Sequence, residues 1–233
     1  MSTPAAIAIT GTSRGLGRAF AEHYLGRGWT VDGCGRSESD LDHADYCHTT
    51  LDIADEAAVR RWFSAIRKRR ANGLYALINN AGVARMNHAM LTPGATVRQI
   101  LDTNVVGTFN CCREAAKLMQ RAGGQIVNLS TVAVPLALEG EAAYAASKAA
   151  VENLTRVLAR EFAPLGITVN AVGPTPVRTD LIAGVPDDTL QALLARQPLP
   201  RYAEPGDVLN VLDFFLSPAS DFVTGQVLYL GGV

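Results

Sequence analysis

The chain has 233 residues, 48% of them hydrophobic and 18% charged. That size and balance suit one α/β domain with its own core and exclude a disulfide-stapled mini-domain, a disordered chain, collagen and coiled coil. Lys plus Arg number 21 and Asp plus Glu 22, a net charge of −1, so no long-range attraction to nucleic acid or an anionic membrane is expected.

In chain order, short β-branched or Ala-rich runs alternate with longer segments of helical period. Strands are expected at 5–10, 29–34, 47–52, 76–79, 125–130, 167–172 and 226–230. Helices are expected near 15–27, 55–71, 94–121, 141–163 and 205–216. In the second of these, Val59, Trp62, Phe63 and Ile66 share one face, Asp55 and Glu56 open the first turn, and Arg67-Lys68-Arg69-Arg70 close the last. Such a basic end suits the helix dipole and reads as a solvated terminus. The βαβ alternation predicts a Rossmann-like, doubly wound parallel sheet of seven strands with helices on both faces, residues 1–233 forming one domain. No apolar run approaches the ~18–20 residues of a membrane span, and MSTPAAIAIT lacks a signal-peptide head. The cysteines Cys34, Cys47, Cys111 and Cys112 form no Cys-x-x-Cys pair; a cytoplasmic protein is expected.

After the first strand comes Thr10-Gly11-Thr12-Ser13-Arg14-Gly15-Leu16-Gly17, then a helix. Glycines there let a pyrophosphate approach the amides at the helix start, where the dipole favours an anion. The same residues also spell the G-x-S-x-G turn of a serine hydrolase. That rival needs a histidine late in the chain, whereas His23, His43, His48 and His88 all lie in its first half.

Gly11-x-x-x-Gly15-x-Gly17, Asn79-Asn80-Ala81-Gly82, Asn104-Val105-Val106-Gly107, Tyr144-Ala145-Ala146-Ser147-Lys148 and Asn170-Ala171-Val172 follow one another in this order. Together they resemble the compact, single-domain short-chain dehydrogenase/reductase family, and the likeness runs essentially end to end. The resemblance implies cofactor contacts from Gly11, Ser13, Arg14, Gly15, Leu16 and Gly17, and from Asn80, Ala81 and Gly82. It further implies contacts from Asp52 and Ile53 to adenine, and from Pro174, Val177 and Thr179 to the nicotinamide. Pro174-Thr175 replaces the family's Pro-Gly, and Leu230 stands where an acidic residue usually precedes Gly231-Gly232.

The residue ending the second strand discriminates between dinucleotides: a carboxylate binds the free ribose, and an arginine accommodates a 2′-phosphate. Here that position is Gly35, followed by Arg36 and Ser37, with Arg14 in the glycine turn. Two guanidiniums can fork around a phosphate, so NADP(H) is the expected cofactor. Asp32, three residues earlier, alternates away from Gly35 and reads as a partly buried structural acid.

Tyr144 and Lys148 lie one helical turn apart on one face. A neighbouring ammonium favours the phenolate, lowering the tyrosine below its usual pKa of ~10. By resemblance, Tyr144 exchanges a proton with the substrate, Lys148 holds the nicotinamide ribose, and Asn104 anchors a water in a proton relay. The family's carbonyl-polarising serine stands thirteen residues before the tyrosine; that place holds Thr131, with Ser130 fourteen away. Thr131 is preferred and Ser130 stays open, since alternation lets only one face the pocket.

Segment 181–200 is expected as a lid containing one helical turn. The broadest resemblance is to 3-oxoacyl-thioester reductases; a polyol, sugar or steroid-like alcohol is the alternative substrate, and a non-catalytic NADP(H) sensor the alternative class. Docking an acidic carrier protein needs basic residues at the rim, for which Arg121 is the evident one. The Ala-rich helix 141–163 and the 94–121 helix resemble a dimer or tetramer seam, so a homodimer or homotetramer acting on a small-molecule carbonyl or alcohol is expected. Asp42, His43, Asp45, Cys47 and His48 read as a polar loop rather than a metal site.

Overall fold

The computed structural model describes residues 5–70, 73–179, 182 and 184–233. Seven parallel strands form one sheet in the order β3-β2-β1-β4-β5-β6-β7: β1 (Ala6–Thr10), β2 (Thr30–Gly35), β3 (Tyr46–Thr50), β4 (Ala76–Asn79), β5 (Gly124–Leu129), β6 (Ile167–Gly173) and β7 (Val227–Tyr229). Every residue of β1 and β4 is buried, because parallel strands inside a doubly wound sheet are covered on both faces. The strand order reverses between β1 and β4, and ligands bind outside the strand ends at such a switch point.

Helix α1 (Gly15–Gly26) covers one face together with α8 (Pro205–Phe215), where Phe20, Tyr24 and Phe215 pack on Ile7, Ile9 and Val172. The other face carries α2 (Glu56–Arg69), α4 (Thr108–Met119) and α6 (Ala142–Phe162), with Trp62, Phe63, Cys111, Cys112 and Met119 against Ala8, Leu77 and Ile126. Both adjacent cysteines are thus packing residues. Among the described residues no group of His, Cys, Asp and Glu could hold a metal, and no helix is long and apolar enough to cross a membrane.

The basic end of α2 is not a solvated terminus throughout. Arg69 and Arg70 reach the carboxylate of Asp32 on β2 at 2.7 Å each, and Asp32 is fully rather than partly buried. A charge in that position requires such partners. Arg67 and Lys68 face solvent as expected, and Arg69 does so in part. The N-terminus of α2 is capped by Asp55, which accepts from Ala58 N at 3.0 Å.

The expected 94–121 helix is also interrupted. It comprises α3 (Gly94–Leu101), a wider π segment over Asp102–Gly107, then α4. Single π turns inside helices accompany functional sites, and this one carries Asn104. Elsewhere a buried polar chain crosses the sheet. Asn79 and Asn128 are register partners on β4 and β5; Asn79 Nδ2 donates to Asn128 Oδ1 at 2.8 Å, and Asn128 Nδ2 to Thr155 Oγ1 on α6 at 2.9 Å.

Candidate active site

The turn from β1 into α1 depends on glycine. Gly11 and Gly15 have φ of 78° and 58°, and a Cβ on Gly17 would lie 2.1 Å from Gly11 O. The turn is held from β2, with Gly11 N and Thr12 N both donating to Cys34 O at 2.7 and 3.0 Å. It is held from β4 as well: Asn80 Nδ2 donates to Thr10 O at 3.0 Å, and Ala81 N donates to Thr10 Oγ1 at 2.9 Å. Helix α1 begins without a side-chain cap, leaving its first amides to the loop side where an anion is favoured. Leu16, Asn80 and Gly82 line a cavity of about 840 Å³ that continues to Tyr144, Lys148, Pro174, Val177 and Thr179.

At the end of β2, a Cβ on Gly35 would meet Ser13 Oγ at 2.3 Å, because Ser13 crosses to donate to Ser37 O at 2.9 Å. Arg14, Arg36 and Ser37 are exposed beside it. A carboxylate the sequence reading passed over, Glu38, accepts from Thr50 Oγ1 at 2.8 Å in the same corner. Asp52 is exposed and accepts from Ala54 N at 2.9 Å. Ile53 turns its side chain into the core, against Gly107, so only its backbone is left for the cleft.

The polar residues of α6 converge on the strand ends. Lys148 donates from Nζ to Leu129 O at 2.7 Å, and the same nitrogen lies 6.0 Å from the centre of the Tyr144 ring. Asn104 is wholly buried: its Oδ1 accepts from Val83 N at 2.8 Å, and its Nδ2 donates to Val83 O and Ser147 Oγ at 2.9 Å. The π segment is therefore tied both to the strand-four loop and to the helix bearing Tyr144. The two hydroxyls before α5 (Ala133–Leu136) both line the cavity but have different partners. Thr131 Oγ1 accepts from Ala133 N at 3.2 Å and its hydroxyl pulls the Tyr144 phenol downward, while Ser130 is buried and donates to Glu152 Oε1 at 2.6 Å. Tyr229 on β7 donates to the same oxygen, also at 2.6 Å.

Electrostatics here differ from the expectation that the ammonium acidifies the phenol. Burial, and then the charge of Glu141, push the Tyr144 phenol well above its ordinary value, with the Thr131 hydroxyl pulling the other way. Burial takes the Lys148 ammonium down to about 8. Among the described residues no carboxylate pairs with Nζ, and desolvation alone sets the direction of the ammonium's shift. The phenol therefore keeps its proton at neutral pH.

The far wall is formed by α7 (Asp187–Ala195), about two and a half turns rather than the single turn expected. Leu190 and Leu194 are buried and Leu193 lines the cavity. The expected lid starts at Leu181, which lies outside the described residues. Val177 bridges to Ala203, and Val132 N donates to Pro174 O at 3.2 Å. Arg121 stands between α4 and β5, at the N-terminal edge of the sheet, and does not line this cavity; Arg85 and Arg196 do. Sequence reasoning also missed Glu141 and Glu152. Both lie on the Tyr144 face of α6, three residues before it and eight after, a periodicity that could have flagged them.

A family model described as enoyl-(acyl carrier protein) reductase matches residues 11–232. The chain belongs to the short-chain dehydrogenase/reductase family. It is 32% identical over 231 residues to the 3-oxoacyl-[acyl-carrier-protein] reductase of Vibrio cholerae, covering 96% of this chain and 94% of that one. Among solved structures, it is similar to ElxO with NADP bound (TM-score 0.89, 26% identity, 98% of this chain and 97% of that one). It is likewise similar to 4-hydroxyisoleucine dehydrogenase complexed with NADH (TM-score 0.87, 26% identity, 98% and 97%). Membership makes the protein an oxidoreductase of a nicotinamide-binding family.

Proposed function

We propose that this short-chain dehydrogenase/reductase interconverts a carbonyl and a secondary alcohol with NADP(H), acting as one catalytic domain. The observation that carries this reading is the convergence of Tyr144, Lys148 and Thr131 on one cavity that opens onto the glycine turn. The residues fit the cofactor: Gly11–Gly17 with Asn80, Ala81 and Gly82 take the pyrophosphate end, Lys148 the ribose, and Pro174, Val177 and Thr179 the nicotinamide. A Cβ on Gly82 would meet Asn104 Oδ1 at 3.3 Å, tighter than most real contacts, and would stand beside Lys148 Nζ. When bound, NADPH supplies the hydride that reaches the carbonyl carbon.

This chain's own groups handle the oxygen. Thr131 donates a hydrogen bond to the carbonyl, and Tyr144 gives its phenolic proton to the developing alkoxide, leaving a secondary alcohol. A phenol held above its ordinary pKa retains that proton and favours reduction. Reprotonation runs through Lys148, with Asn104 as the positioning residue for the relay. Ser130 lines the same cavity, but its hydroxyl is occupied by Glu152.

For the dinucleotide, Gly35 and the exposed Arg14 and Arg36 support NADP(H), and Glu38 is the opposing charge in that corner. Titration with NADPH and NADH by fluorescence checks it: NADPH binding at least tenfold tighter is expected, with the margin lost in Arg36→Ala. Equal affinities would remove the phosphate reading. The similarity to 3-oxoacyl reductases supports a 3-oxoacyl thioester substrate, while the cavity wall supports a hydroxylated carbonyl, taken up below. The exposed apolar residues of α4 and α6 support a homodimer or homotetramer.

A further inference from the structure

Glu141 is an anomaly in the cavity. It occupies the N-cap position of α6 yet makes no side-chain cap bond, although four helix amides at that end need acceptors. Its backbone is pinned instead: Glu141 N donates to Leu138 O at 3.3 Å, and its carbonyl accepts from Ala145 N at 2.7 Å. The preceding Gly140, at φ 78°, accepts from Asn87 N at 2.9 Å. The loop thus fixes where the side chain starts, and the side chain lines the cavity with Tyr144, Thr131 and Leu193. The residue is only part-buried where it lines the cavity, while one carboxylate oxygen, Oε2, is packed against protein with no hydrogen-bond donor. The charge is close enough to hold the Tyr144 phenol up, and burial raises the Glu141 carboxyl itself.

A carboxylate with one oxygen packed away unpaired has only its cavity side left to be satisfied, and a site that places such a group beside the reacting centre suits a ligand that brings a donor to that side. We infer that Glu141 is a specificity-determining residue that accepts a hydrogen bond from a hydroxyl next to the reacting carbonyl, so that the substrate class is hydroxyketones and polyol-like compounds. An unsubstituted 3-oxoacyl thioester offers no donor near its ketone and would bury the carboxylate unpaired. The cationic Arg85 and Arg196 line the same cavity, so the outer part tolerates further oxygens of the substrate while the apolar Leu190 and Leu193 cover its carbon face. This inference deepens the proposed carbonyl reduction and rests on it for the position of the reacting carbon.

The test uses a matched pair, 2-hydroxycyclohexanone and cyclohexanone, with acetoacetyl-CoA alongside, reduced with NADPH by the full chain and by Glu141→Gln and Glu141→Leu. The expected result is a kcat/KM for the hydroxyketone about 10–100-fold above that for the plain ketone. The preference falls to near unity in Glu141→Leu and part-way in Glu141→Gln, mainly through KM. Equal use of both ketones, a preference for acetoacetyl-CoA, or a preference that survives both substitutions overturns the inference. Binding of trans-1,2-cyclohexanediol and cyclohexanol, followed by saturation-transfer NMR, separates the two readings. If no carbonyl is reduced yet the diol binds better and Glu141→Leu abolishes the difference, the reduction reading fails and the role of Glu141 stands. If diol and mono-alcohol bind alike, the role of Glu141 falls whatever the turnover.

Discussion

Thr131 and Ser130 differ by one position and by everything their hydroxyls touch. Beyond the end of β5, Thr131 lines the cavity with Tyr144 while the Ser130 hydroxyl is taken up by Glu152. Thr131→Ala should therefore lower turnover by on the order of 10²–10³, as for other lost oxyanion donors. Ser130→Ala should leave most of it, with steady-state rates on any accepted ketone as the measure. The opposite ranking would reverse the assignment. Lys148 offers a pH test. Its folded pKa of about 8 lies below the ~10.4 of an unfolded lysine. Below about pH 8 both states are protonated and the burial penalty is complete. Between there and ~10.4 the unfolded chain holds the extra proton, so stability rises with pH. Relative to Lys148→Met, the wild type should gain on the order of 3 kcal/mol from pH 7.5 to 10 in urea unfolding. A pH-independent difference would contradict a buried, depressed ammonium.

At the level of elements, most of the layout was legible because the periodicities are strong. All seven strands and the five main helices fall within a few residues of where alternation and 3.6-residue spacing put them. The departures have physical reasons. No local pattern distinguishes a π turn from the α-helix around it, so the break at Asp102–Gly107 is set by what Asn104 reaches across the fold. The basic run after Ile66 suits a solvated helix end by local rules, yet two of its four residues answer a carboxylate 37 and 38 positions earlier. Replacing Arg69 and Arg70 with Met leaves Asp32 buried and unpaired. The expected cost is about 2–3 kcal/mol, below the usual figure for a broken buried pair because Arg69 is about a third exposed. Adding Asp32→Asn should recover most of that loss in thermal unfolding; no recovery would mean the arginines act through packing alone. The candidate site was less legible than the frame. The motifs located its residues, but which partners Ser130 and Thr131 take, and that Glu141 joins them, depends on tertiary contacts.

Taken whole, the molecule leaves several large apolar side chains uncovered on the elements that carry Asn104 and Tyr144. Val106 on the π segment, Phe109 on α4 and Val157 on α6 are each more than two-fifths exposed, a pattern that suits burial against a second copy. Light scattering at micromolar concentration should report a dimer or tetramer, and Phe109→Asp should shift the mass downward. A monomer in the unsubstituted protein would leave that exposure unexplained. The asparagine pair at the centre of the sheet has a different consequence. Asn79 and Asn128 meet only when β4 and β5 pair in their native register, and the chain of amides ends on Thr155 of α6. Sliding one of the two strands by one residue would turn its amide to the opposite face and leave both amides without each other's partner among apolar side chains. Apolar strands alone discriminate poorly among offset alignments, so these two side chains put a polar penalty on a misaligned centre of the sheet.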